Sequence, residues 1–170
     1  HQADILRDYH QDSKNSDIAL ELPTGAGKTL VGLLIAEWRR THLGERVVYL
    51  CPTRQLAYQV GAKADQYGIR VNVLVGKQSE YPPAEFSNYA SANTVAITTY
   101  SGIFNTNPKI DNPETIILDD AHAAENYIAK MWSLSISRKH QKEIYDRILG
   151  LYSDDIPDYL LCTLRAENPG

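Results

Sequence analysis

The segment Leu22-Pro23-Thr24-Gly25-Ala26-Gly27-Lys28-Thr29 limits what this chain can fold into more than any other. It sits between a short apolar run at 18–22 and a run in which Leu33, Leu34 and Trp38 recur at helical spacing. A strand that turns through glycines straight into a helix is the setting of a phosphate-binding loop. Gly25 and Gly27 allow a tight turn whose amide N–H groups point inward at phosphate oxygens. The helix beginning near Gly27 adds its positive N-terminal end. Lys28 can reach the β- and γ-phosphates of a nucleotide as a flexible point charge, and the Thr29 hydroxyl can ligate the Mg²⁺ that bridges them. Thr24, Gly25, Ala26, Gly27, Lys28 and Thr29 are therefore the expected triphosphate contacts. One departure stands at Leu22, where the general pattern has its first glycine.

The rest of the chain alternates strand-like and helix-like runs, which predicts an α/β fold with a largely parallel central sheet flanked by helices. Expected strands are 18–22, 46–51, 71–75, 94–99, 115–119 and 158–164; expected helices are 3–13, 30–38, 55–67, 122–134 and 137–150. Residues 76–93, with Pro82-Pro83, read as a loop holding one short helix. Ile136, His140, Ile144 and Ile148 form a stripe expected to be core, and 167–170 an expected frayed tail. A length of 170 residues suits one domain. A net charge of -4 argues against coating nucleic acid by bulk charge, but a local phosphate-contacting track needs only a few groups. No run reaches the roughly 18 apolar residues of a membrane helix, so no membrane partner is expected. Cys51 and Cys162 each lie in an apolar run and read as buried free thiols of a reducing cytoplasm, with a disulfide as the alternative.

A triphosphate site needs a second piece to hold the metal and position the attacking water. Asp119-Asp120-Ala121-His122 follows the apolar run Ile116-Ile117-Leu118. In a parallel sheet the carboxyl end of that strand opens onto the same crevice as the phosphate loop. Asp119 is placed to hold Mg²⁺, and Asp120 to accept a proton from water. The alternative is a plain acidic start to the next helix.

These two motifs resemble motifs I and II of the superfamily 2 helicases of the DEAD/DEAH-like group. Pro52-Thr53-Arg54-Gln55-Leu56-Ala57 resembles motif Ia, and Thr98-Thr99-Tyr100-Ser101 resembles motif Ib. The resemblance runs over residues 1–125 and implies a RecA-like P-loop NTPase domain that binds ATP with Mg²⁺. It implies that Lys28, Asp119 and Asp120 serve hydrolysis, that Thr53, Arg54 and Thr99 touch a nucleic-acid strand, and that His122 couples the nucleotide site to a second lobe. It also implies an adenine-reading glutamine ahead of the loop: Gln2 fits, with Gln11 as the alternative, through a bidentate amide. Read from the residues alone, Thr53 is a helix cap and Gln2 a surface side chain.

Three features depart from the family pattern. Asp120 stands where motif II usually has Glu; a carboxylate one methylene short can cost on the order of 10²-fold in rate. No Ser-Ala-Thr motif III follows motif II, and 124–157 reads as a helical extension. The resemblance implies a second RecA-like domain that would close over ATP; it is expected to lie outside residues 1–170, which are expected to be one nearly inactive fragment. The implied activity is the N-terminal motor half of an ATP-dependent helicase acting on nucleic acid, with DNA favoured over RNA, in the cytoplasm or at the nucleoid. The alternatives are a duplex translocase that does not unwind, a nucleotide-gated binding module with weak hydrolysis, and a small-molecule kinase.

Overall fold

The computed structural model describes residues 2–23 and 25–166. His1, Thr24 and the 167–170 tail lie outside the described residues. The chain divides into two compact units, His1–Met131 and Trp132–Gly170.

The first unit is built on four strands: β1 (Val47–Cys51), β2 (Val71–Val73), β3 (Val95–Thr99) and β4 (Thr115–Leu118). They are all parallel, in the order β2-β3-β1-β4, with Val48 opposite both Ala96 and Ile116. The β-branched and aromatic content of these runs suits strands covered on both faces. Every residue of β1 is buried. Its side chains alternate between two cores. Val47, Tyr49 and Cys51 pack with Leu33 and Ala36 of α2 (Lys28–Trp38) and with Ala57 and Val60 of α3 (Arg54–Gln66). Val48 and Leu50 face the other way, onto a cluster that includes Tyr89, Tyr100 and Ala124. Those three lie on α4 (Pro83–Ala90), α5 (Tyr100–Ile103) and α6 (Ala121–Met131). Each fully buried Leu or Val contributes about 1.5–3 kcal/mol.

The opening helix α1 (Gln2–Asp12) lays Tyr9, Ile5 and Leu6 against Val31 and Ile35 of α2. Arg39, just past α2, ties this corner together. Its guanidinium donates to the Tyr9 hydroxyl, to the Ser13 carbonyl at 2.8 Å and to the Glu45 carboxylate at 3.1 Å, and it reaches the Thr115 hydroxyl of β4 at 3.3 Å.

The expected strand at 18–22 does not join the sheet. Leu22 is buried and Ile18 partly so, both against α1 and α2, but the backbone makes no ladder. A short apolar run becomes a strand only where a neighbour offers hydrogen bonds, and among the described residues β4 has β1 as its strand neighbour. Ile116 and Leu118 of β4 are correspondingly exposed, at 41% and 38%.

The second unit carries α7 (Lys142–Leu151) and α8 (Asp158–Arg165). Residues 158–164, expected as a strand, are helical. Pro157 sits at the N-cap, Asp158 in the first turn and Arg165 in the last, which suits the helix dipole. The stripe Ile136, His140, Ile144 and Ile148 is not core. His140, Ile144 and Ile148 are exposed, Ile136 is half-buried, and α7 begins only at Lys142. A unit this small buries only a modest share of its apolar surface. Cys162 is exposed on α8, against the expectation that both thiols are buried; Cys51 is buried, and both are free.

Candidate functional site

Because the four strands run parallel, their carboxyl ends open at one edge of the sheet. There the register sets Cys51 beside Thr99, and the Asp119 amide donates to the Leu50 carbonyl at 2.9 Å. The segments after β1, β3 and β4 thus emerge side by side. They carry Thr53 and Arg54, Tyr100, and Asp119 and Asp120 respectively.

The glycine loop delivers the start of α2. Gly25 and Gly27 adopt φ of 82° and 81°, left-handed values that exact a strain from any side chain. The Val31 amide closes the first helical turn onto the Gly27 carbonyl at 3.1 Å. No acidic residue of α2 itself lies in its first turn, so its own side chains leave its positive end uncompensated. Lys28 is exposed and Thr29 half-buried. Thr24, the first expected loop contact, is outside the described residues. Gln2 lies against the loop: its Nε2 donates to the Ala26 carbonyl at 3.0 Å, and a Cβ on Gly27 would come within 2.2 Å of that nitrogen.

Asp119 is the electrostatic centre. Burial raises its carboxyl above the usual range and the Asp120 charge adds to this, while Lys28, Lys63 and the Tyr49 hydroxyl pull it back. Lys28 and Asp119 are therefore within each other's field, although they are distant in sequence. The Tyr49 ring is buried on the same sheet face, seated where α2 has Gly32; a Cβ there would meet Tyr49 Cε2 at 2.9 Å. Burial and the Asp119 charge hold the Tyr49 hydroxyl far above its ordinary value, so it remains a neutral donor.

Asp120 is exposed, with φ of 59°. Its carbonyl accepts from the Ala123 and Ala124 amides at 3.0 and 3.3 Å, and its Oδ1 receives the Ala123 amide at 3.4 Å. The carboxylate thus caps α6 while standing next to Asp119. The buried Tyr100 hydroxyl donates to the carbonyls of both Asp119 and Asp120, the latter at 2.8 Å.

A hard divalent cation takes oxygen ligands, which the Asp119 carboxylate and the Thr29 hydroxyl could supply. Among the described residues no group of three or more acids, histidines or cysteines could hold a metal alone. Mg²⁺ is commonly held this way, by one or two protein oxygens with waters and substrate phosphates completing the shell.

At the rim, Thr53 caps α3: its Oγ1 accepts the Leu56 amide at 3.2 Å. Arg54 is exposed and makes no ion pair among the described residues. Thr99 shares a hydroxyl contact of 2.9 Å with Ser101. His122 is exposed in the first turn of α6. Sequence reasoning missed Tyr49, Gly32 and Lys63, and the part played by the Tyr100 hydroxyl within the Ib-like stretch, because each contributes through space.

A family model described as DEAD/DEAH box helicase matches residues 1–151. The chain is 25% identical over 120 residues to the ATP-dependent DNA helicase Hel308 of Aeropyrum pernix, an alignment covering 66% of this chain and 15% of that protein. No solved structure matches. No helix among the described residues is long and apolar enough to cross a membrane.

Proposed function

The chain belongs to the DEAD/DEAH box helicase family, and on that premise we propose that it is the nucleotide-binding lobe of an ATP-dependent nucleic-acid motor. The observation that carries this reading is that Lys28, at the start of α2, lies within electrostatic reach of the half-buried Asp119 carboxylate after β4, at the edge of the sheet where the strands' carboxyl ends open.

The triphosphate lies over Gly25–Thr29, where the amides at the start of α2 and Lys28 meet its oxygens. Asp119 and Thr29 are the residues that would hold Mg²⁺, which supplies charge neutralisation at the β- and γ-phosphates. Asp120 takes the proton of the attacking water once it swings off its capping bond. Gln2 leaves the Ala26 carbonyl to read the adenine edge. Thr53, Arg54 and Thr99 hold the phosphates of one strand, through hydroxyls and a guanidinium at a helix start. His122 faces a second RecA-like lobe that completes the site. DNA is favoured as the strand. The isolated lobe hydrolyses ATP poorly.

A second reading, a nucleotide-gated binding module with weak hydrolysis, is favoured by one observation: the short Asp120 carboxylate is engaged with the Ala123 amide. The deciding experiment is ATP turnover by the intact protein, with and without nucleic acid. The motor reading expects stimulation that Lys28→Ala abolishes. Unchanged turnover in Lys28→Ala refutes the site. Weak turnover that rises in Asp120→Glu selects the binding module.

A further inference from the structure

We infer that Tyr100 is a positioning residue: its hydroxyl sets the Asp119-Asp120 turn and joins it to the rim that carries Thr99 and Ser101. The inference rests on the reading of this crevice as a nucleotide site beside a strand-binding rim, and it adds the part that links the two.

Beyond the Asp119 amide, the chain leaves the ladder. The next residue takes a left-handed φ that an aspartate tolerates but does not prefer. Such a turn keeps its geometry only where its surroundings over-determine it. Two sets of bonds do so here. The Ala123 and Ala124 amides of α6 bind the Asp120 carbonyl, and the Tyr100 hydroxyl donates to the Asp119 and Asp120 carbonyls together. The peptide carrying the expected metal ligand and the peptide carrying the expected base thus share one donor.

That donor is itself firmly seated. The Tyr100 ring is 2% exposed and lies 5.9 Å from the Tyr127 ring of α6. Its backbone opens α5 directly after β3. Gly102 lets α5 press onto that strand; a Cβ there would stand 2.6 Å from the Thr98 hydroxyl, which is bonded to the Leu74 carbonyl at 2.5 Å. Thr99 and Ser101 flank Tyr100 in sequence and bond each other at the rim. A displacement of the rim by a bound strand therefore reaches the motif II turn through one rigid ring. Among the described residues the hydroxyl's hydrogen bonds go to backbone carbonyls alone, so it acts through Asp119 and Asp120 and not on substrate.

The test is Tyr100→Phe in the intact protein, with Tyr127→Phe as its companion. The first removes the shared donor and keeps the ring. The second alters the neighbouring ring, which makes no bond to the turn. Steady-state ATP turnover is measured with and without single-stranded nucleic acid, beside nucleotide affinity and thermal melting. Tyr100→Phe is expected to keep KM within about twofold while kcat falls roughly tenfold or more, since misplacement near 1 Å costs up to about 10²-fold. The stimulation by nucleic acid falls with it, and Tyr127→Phe keeps both. Parent-like kcat and stimulation in Tyr100→Phe overturn the inference, as does an equal loss in Tyr127→Phe, which would mark a packing effect. If instead Lys28→Ala leaves turnover at the parent level, the nucleotide site itself is wrong and the role of Tyr100 falls with it.

Discussion

Gly27→Ala meets backbone strain and ligand binding at one residue, and Gly44→Ala separates the two. Gly27 has φ of 81° and Gly44 φ of 70°. An alanine forced into that region costs about 1–2 kcal/mol. At Gly44 the new Cβ meets nothing within 4 Å, so strain is the whole effect. At Gly27 it meets the Gln2 Nε2, the tip of an exposed, flexible side chain that can swing aside. That movement forfeits one exposed hydrogen bond, worth about 0.5 kcal/mol. The two variants should thus lose similar stability, lowering Tm by roughly 3–8 °C. Nucleotide separates them. Mg-ATP at about 100 times its Kd stabilises a binding-competent protein by about 2.7 kcal/mol. Gly44→Ala should keep that shift, and Gly27→Ala should lose most of it, because relief of the strain rotates the amides away from the phosphates. The assay is thermal melting of all three proteins with and without a slowly hydrolysed ATP analogue. Equal ligand-induced shifts in both variants, or a parent-like Tm for Gly27→Ala, would refute the reasoning.

Other outcomes follow from single contacts. Asp119 has its folded-state pKa raised, chiefly by burial and then by Asp120. The native state therefore binds more protons than the unfolded chain just above the ordinary carboxylate pKa, and stability falls as pH rises through that window. Asp119→Asn should raise the melting temperature of the metal-free protein at neutral pH and lose that advantage in acid; a variant no more stable than the parent at pH 7 contradicts this. Cys51 is buried and its thiol is pushed up to about 12, whereas Cys162 is exposed. An alkylating reagent at pH 8 should label one thiol in the native protein and two after denaturation; two at once in the native state would be the wrong result. Arg39→Lys should cost about 1–3 kcal/mol, because an ammonium cannot reproduce the fork that joins Tyr9, Ser13, Glu45 and Thr115. Urea unfolding measures it, and a midpoint unchanged from the parent refutes the role of this network.

Short-range chemistry in the chain was enough to mark the glycine loop, the start of α2, the Thr53 cap and the acidic end of β4. Each is a pattern of a few consecutive residues whose conformation depends on their own side chains and amides. The parallel sheet was legible for the same reason: β1, β3 and β4 are dense in β-branched residues and separated by helical runs. Where the outcome depended on a partner elsewhere, local pattern misled. Residues 18–22 have strand character but no ladder; 158–164 have it too, yet form α8; Ile144 and Ile148 have core spacing but no core to enter.

Tertiary packing alone brought Lys28 into the field of Asp119, set Gln2 against the loop at Ala26, and hung the Asp119-Asp120 turn from the Tyr100 hydroxyl. These pairs lie about twenty or more positions apart, and their energies depend on distance and burial rather than on sequence spacing. A chain can encode a loop in eight neighbouring residues; which carboxylate stands beside that loop, and what holds it there, is known only once the strands are paired.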